Sequence, residues 1–161
     1  MIDFKKHSGI HSIKTEQVLN IPLGKAWDFF SSPGNLEEIT PLNMGFQITS
    51  ELNKKVYAGQ VITYKIGILP GIKSSWVTEI TQLKNQEYFI DEQRFGPYKM
   101  WHHEHWFKAL PNGKTLMKDE ISYKVPFGII GSLAQQIFIR KKLKSIFEYR
   151  YAALERMFNG G

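Results

Sequence analysis

Between Gly96 and Pro126 the chain reads GPYKMWHHEHWFKALPNGKTLMKDEISYKVP. Two runs of mixed aromatic, β-branched and charged residues flank Pro111-Asn112-Gly113, which predicts two long strands joined by a tight hairpin. Pro-Asn-Gly suits a three-residue loop in which a type I turn ends on a left-handed glycine. Such a loop sets Leu110 against Lys114 and fixes every pair beyond it. His105 then faces Asp119, His103 faces Ile121 and Trp101 faces Tyr123. Side chains alternate across a strand, so Trp101, His103, His105 and Phe107 share one face. Met117, Asp119, Ile121, Tyr123 and Val125 continue it on the partner strand. The surface is apolar and aromatic, with two histidines and an aspartate set into it. That is the make-up of a cavity wall.

Upstream of the hairpin, Gln60 to Leu69, Ile72 to Leu83 and Glu87 to Phe95 read as strands, with Pro70-Gly71 and Asn85-Gln86 as the breaks. Phe46 to Leu52 is a further strand. Ser12 to Asn20 is the first, with Ile13, Thr15 and Gln17 on one side. Between these two, Pro22 opens a short helix through Ala26-Trp27-Asp28-Phe29-Phe30, because proline is tolerated in a first helical turn. Ser31-Ser32-Pro33-Gly34 stops it, and a second short helix from Asn35 to Ile39 ends before Pro41. Downstream, Phe127 to Gly131 is a glycine-punctuated apolar bridge that could flex to gate a cavity. Ser132 is placed to cap a long helix running to about Phe158. Ile139, Leu143, Ile146, Phe147, Tyr151, Leu154 and Phe158 recur on it at helical spacing. Strands joined by tight turns imply an antiparallel meander. About seven such strands with one long amphipathic helix predict an α+β fold in which the sheet curves around the helix. No repeat or linker divides the 161 residues, so one domain is expected, with its core between Ser12 and Phe158.

Composition narrows the function. The chain has no cysteine, which removes disulfides, thiolate metal sites and cysteine nucleophiles. The net charge is +6, but only Arg140-Lys141-Lys142 with Lys144 forms a cluster, and a solvated helix face explains it, so no nucleic-acid partner is expected. No apolar run approaches the roughly 20 residues of a membrane span, and the amino terminus lacks a signal-peptide core. A cytoplasmic protein without integral membrane association is the expectation. Glycine-rich nucleotide loops and Gly-x-Ser-x-Gly are absent from the sequence, so nucleotide chemistry and a serine nucleophile have no support.

The order strand, two short helices, strand series, long carboxy-terminal helix resembles the helix-grip fold of the START, Bet v 1 and polyketide cyclase superfamily, SRPBCC. Ile21-Pro22-Leu23-Gly24-Lys25-Ala26-Trp27-Asp28-Phe29-Phe30 is similar to the family's entry to its first helix. Gly96-Pro97-Tyr98, Trp101-x-His103-x-His105, Asp119-x-Ile121-x-Tyr123-x-Val125-Pro126 and Ile146-Phe147-Glu148-Tyr149-Arg150 resemble a bacterial ligand-binding, cyclase/dehydrase-like subgroup. The resemblance implies a hydrophobic or amphipathic ligand, of lipid, quinone or polyketide type, held between sheet and helix. It also implies two alternatives: a cyclase or dehydratase, or an adaptor for an epimerase-like protein partner. It implies no cofactor.

The residues expected to line the cavity are Trp101, His103, His105, Phe107, Asp119, Ile121 and Tyr123 from the hairpin, with Leu143, Phe147 and Tyr151 from the helix. Three readings of His103, His105 and Asp119 stay open. They form a structural pair, a polar anchor for a ligand, or an acid/base group in which the aspartate orients a histidine and raises its pKa. His-x-His also places two imidazoles together as zinc sites require, but with Asp119 as the one ready third ligand no metal is expected. Glu79, Asp91 and Glu92 lie on strands whose inward face the sequence leaves undecided. Arg150 is read either as an anion binder or as the partner of a sheet carboxylate.

Overall fold

The computed structural model describes residues 2–51, 53–69, 72–125 and 132–160. Among these, eight strands form one antiparallel sheet: β1 (Ile2–His7), β2 (Ile10–Leu19), β3 (Gln47–Ile48), β4 (Val61–Leu69), β5 (Ile72–Lys84), β6 (Tyr88–Phe95), β7 (Met100–Leu110) and β8 (Lys114–Lys124). Their spatial order is β1-β2-β8-β7-β6-β5-β4-β3, so the two ends of the strand series meet where β2 pairs with β8. Helix α1 (Leu23–Phe30) and a 3-10 helix at Pro33–Ile39 follow β2, and the long helix α2 (Ser132–Phe158) follows the sheet.

The hairpin has the expected register, with His105 opposite Asp119, His103 opposite Ile121 and Trp101 opposite Tyr123. Burial alternates strictly along β8, where Thr115, Met117, Asp119, Ile121 and Tyr123 are all buried. The turn differs in one respect. Asn112 and Gly113 both have positive φ (63° and 70°), rather than glycine alone. Asparagine enters the left-handed region more readily than other side-chain-bearing residues, so the hairpin closes without strain.

Three other boundaries depart from the expectation. The sheet has eight strands, not about seven, because β1 folds back on β2 through Ser8 (φ 50°) and Gly9 (φ 80°), the two left-handed positions of a type I′ turn. The strand expected from Phe46 to Leu52 shrinks to Gln47–Ile48. Ser50 Oγ accepts the Thr63 N–H while the Thr49 and Ser50 amides both approach the Thr63 carbonyl, which ends the ladder. The second short helix is a 3-10 helix that starts at Pro33, since proline suits a first helical position. The Pro70-Gly71 turn and the Phe127 to Gly131 bridge lie outside the described residues.

Two packed regions flank the site. Around α1, Leu19, Trp27, Phe89, Phe107, Met117 and Leu154 form one cluster. Trp27 meets Phe107 and Phe89 edge-on, at 5.6 and 6.0 Å between ring centres. Nearer the start of α2, Ile13, Ile121 and Tyr123 pack against Leu143 and Phe147. Burying a side chain of this size contributes about 1.5–3 kcal/mol, so both regions hold the helix to the β2/β8 side of the sheet. β5 skips a residue between Ile80 and Gln82. That bulge keeps Thr78, Ile80 and Leu83 turned inward across the bend and curves the sheet around α2.

Candidate functional site

Between β4–β7 and α2 the sheet stands off the helix and encloses a cavity of about 430 Å³. Its wall is mainly apolar, with Ile62, Tyr64, Trp76 and Phe89 from the sheet and Ile139 and Phe147 from α2. Phe29, Phe30, Leu36 and Ile39 close one end. Charged groups cluster where Asp91, His103, His105 and Arg150 all reach the wall, and Lys142 also lines it with its Nζ on the Gly67 carbonyl.

The polar cluster is a ring of four side chains. Asp91 Oδ2 lies 2.8 Å from His105 Nε2 and 3.4 Å from His103 Nδ1. Asp119 Oδ1 lies 3.0 Å from His103 Nε2 and 3.1 Å from His105 Nδ1. The two imidazoles stand 3.8 Å apart between ring centres, bridged at each edge by a carboxylate. Arg150 Nη2 approaches the same Asp119 oxygen at 3.3 Å, and Thr15 Oγ1 donates to Asp119 Oδ2. Phe89 stacks on His105 at 4.1 Å. His103 donates through Nε2 to Asp119 and His105 through Nε2 to Asp91, the tautomers that hydrogen-bond geometry favours. His105 Nδ1 is left without a well-aligned partner despite its closeness to Asp119.

Burial governs the protonation of this ring. It raises the cost of ionising Asp119, but Arg150 and the two histidines outweigh it and hold the carboxyl well below its ordinary value. Asp91 is lowered too, because His103 and His105 outweigh the burial that pushes it up. Burial and the neighbouring His105 push His103 down. Burial also disfavours charge on His105, yet the two nearby carboxylates, Asp119 and Asp91, prevail and its pKa is raised. With His105 protonated, two carboxylates face one guanidinium and one imidazolium, and the cluster is neutral overall.

Several expected wall residues lie elsewhere. Trp101, His103, His105, Leu143 and Phe147 do face the cavity. Asp119 sits behind the histidines and borders only a small crevice beside β2. Phe107 is taken up by Trp27 and Phe30 in the closed core, because β7 has by then passed the end of the cavity. Ile121 and Tyr123 are consumed by packing on Ile13 and Leu143, where β8 lies directly against α2. Tyr151 is 42% exposed, and the helix position facing the sheet is Arg150 instead. Asp91 is the inward acid of β6, while Glu79 and Glu92 turn outward to Arg94. Trp76, Tyr64 and Phe89 complete the wall.

No protein-family model and no curated protein sequence matches the chain. Solved structures do. The Zhui aromatase/cyclase from Streptomyces aligns with a TM-score of 0.71 at 12% identity, over 90% of this chain and 91% of that one. A START superfamily protein from Mycobacterium smegmatis aligns at 0.64 and 10% identity, over 91% of this chain and 98% of that one. Ara h 8.0201 aligns at 0.58 and 14% identity, over 91% of this chain and 98% of that one. The likeness is one of fold: the chain has the helix-grip arrangement, a curved antiparallel sheet around a carboxy-terminal helix.

Proposed function

We propose that the chain binds one small, mainly apolar molecule carrying a polar group, with its apolar body between β4–β7 and α2 and its polar end at the His103–His105 ring. One observation carries this reading. The interior holds a mainly apolar cavity of about 430 Å³ with a histidine–carboxylate cluster in its wall. Ligand sites of about 300–1,000 Å³ are typically built in this way, apolar for affinity and polar at a few points for orientation. Lipid, quinone and polyketide-like molecules share that chemistry. A roomy interior counts against an adaptor with a vestigial cavity, which needs none.

A second reading rests on the ring itself. Two buried histidines of opposed pKa shift stand beside the ligand space, the arrangement that separates an acid from a base. In a cyclase or dehydratase of this kind, unprotonated His103 accepts a proton from an enolisable ligand and protonated His105 returns one. Two substitutions test the cavity and separate the readings in turn. Ile139→Trp fills the cavity from α2 and weakens a bound anilinonaphthalene-type fluorophore at least about 10-fold, or about 1.4 kcal/mol, whichever reading holds. His103→Gln leaves that affinity within a few-fold in either case, but in an enzyme it lowers turnover of the co-purified ligand by about 10²-fold or more. Native mass spectrometry and solvent extraction of freshly purified protein supply the ligand mass. A fluorophore that fails to bind, or one indifferent to Ile139→Trp, overturns the cavity-binding proposal.

A further inference from the structure

We propose that Asp91, His103 and His105 form a binding site for a divalent first-row transition metal at the cavity wall, independent of any organic ligand. The sequence points away from a metal because it offers Asp119 as the one third ligand. The structure supplies a better one. One ligand atom from each of Asp91, His103 and His105 lies within 4.8 Å of the others, and Asp91 Oδ2 stands 3.4 Å from His103 Nδ1 and 2.8 Å from His105 Nε2. Ligand atoms about 2.1 Å from one ion are separated by roughly 3.0–3.4 Å, depending on whether the geometry is octahedral or tetrahedral. All three residues face the cavity, and Asp119 lies behind them. An ion held there keeps open positions toward the ligand space, as two histidines and one carboxylate do in sites that take substrate or water.

The groups behind the triad are arranged as outer-shell partners. Asp119 Oδ1 faces the remaining nitrogen of each imidazole, at 3.0 Å for His103 Nε2 and 3.1 Å for His105 Nδ1. A carboxylate in that position fixes the ring tautomer and raises ligand basicity. Metal on His105 Nε2 displaces the proton from that nitrogen and leaves the ring N–H on Nδ1. That nitrogen is buried without an aligned partner, 3.1 Å from Asp119 Oδ1, and is the N–H that the carboxylate would face in the loaded site. Arg150 neutralises Asp119 through the same Oδ1, so the three ligands carry one net negative charge toward the ion. His102, Glu92 and Glu104 form a second histidine–carboxylate group on the outer face of the sheet and provide an internal control.

The test is titration of the chelator-stripped full chain with Co²⁺, followed by its visible d–d absorption, with displacement by Zn²⁺. One saturable equivalent is expected for the parent protein and for His102→Ala. Asp91→Asn, which keeps the side-chain shape, abolishes the band. Asp119→Asn weakens binding by about 10–100-fold, the usual cost of losing an outer-shell partner. Circular dichroism establishes that each variant is folded. If a variant unfolds, the decisive measurement is the parent's own melting temperature, which Zn²⁺ raises in proportion to the logarithm of its concentration once the site saturates. The proposal is overturned by the absence of a Co²⁺ band and of any Zn²⁺-dependent melting shift, by a band that survives Asp91→Asn, or by one lost in His102→Ala. Fluorophore binding in the cavity is measured separately, so failure of the metal site leaves the cavity reading intact, and the reverse.

Discussion

Strand β7 carries a histidine–carboxylate cluster on each face, and the two differ in little but burial. Outside, His102 contacts Glu92 at 2.9 Å and Glu104 at 3.3 Å, with all three side chains 28–31% exposed. Inside, His103 and His105 contact Asp91 and Asp119 at comparable distances, with exposures of 8% for the histidines and 5% for Asp119. The outer group has water on one side, which screens its charges and replaces any contact that is lost. The inner group has no such substitute. Each member depends on the others for its hydrogen bonds and its charge balance, so the same residue types make a surface decoration on one face and a coupled unit on the other.

The largest effect that separates them is removal of a central carboxylate. Asp119→Ala leaves Arg150 buried without its counter-charge and strips His103 of its acceptor. Uncompensated buried charge typically costs about 3–5 kcal/mol, so urea denaturation is expected to show a loss of that size. Glu92→Ala on the outer face is expected to cost under about 1 kcal/mol. Equal losses from the two would mean that burial is not what distinguishes the clusters.

A smaller effect lies in the pH dependence of stability, measured in chelator. His103 has a lowered folded pKa, so its contribution is lost as pH falls below 6.5, where the unfolded chain takes up a proton that the folded chain refuses. His105 has a raised folded pKa, so its contribution is fully present below 6.5 and is lost as pH rises through the folded value. The two act on opposite sides of pH 6.5, so stability is expected to peak near that pH and to fall toward both pH 5 and pH 8. Asp91 and Asp119 are both lowered from 3.8, so a fall sets in near that pH and continues below it. Replacing one histidine removes one limb of that peak and leaves the other. His103→Gln leaves a protein that gains stability on mild acidification, and His105→Gln leaves one that loses it. A parent protein whose stability changes in one direction only between pH 5 and 8 would show that the two histidines are not shifted apart.

What could be read from the sequence divides along the same line between local and distant causes. The opposition of His105 and Asp119 was legible because turn chemistry within Pro111-Asn112-Gly113 sets the register of both strands. The face of β6 was not legible, since Phe89, Asp91 and Gln93 look no more inward than Ile90 and Glu92, and only pairing with β7 places Asp91 opposite His103. Helical period alone allows either Arg150 or Tyr151 to follow Phe147 on the buried stripe. Hydrophobicity favours the tyrosine, but Asp119 across the interior selects the arginine. β1 was hidden by Lys5-Lys6-His7, although Ser8-Gly9 carried a turn signal that could have found it. The helix-grip arrangement emerges from element order, whereas the closing of Phe107, Ile121 and Tyr123 into packed core depends on where the cavity ends, which no single strand encodes.

The smallest expected effect is also the sharpest check on the comparison. His102→Ala removes the centre of the outer cluster and both of its contacts, yet its partners keep other company. Glu92 retains Arg94 at 3.2 Å, and Glu104 retains the Trp106 indole N–H at 2.8 Å. No buried group is left unpaired, no cavity forms, and water reaches the vacated space. Surface substitutions of this kind usually fall within about 0.5 kcal/mol of neutral, so the urea midpoint is expected to move barely at all. A loss above about 2 kcal/mol would place His102 among groups whose contacts are irreplaceable. The outer cluster would then be a structural clasp between β6 and β7, and burial would cease to explain why one face of this strand carries a site and the other does not.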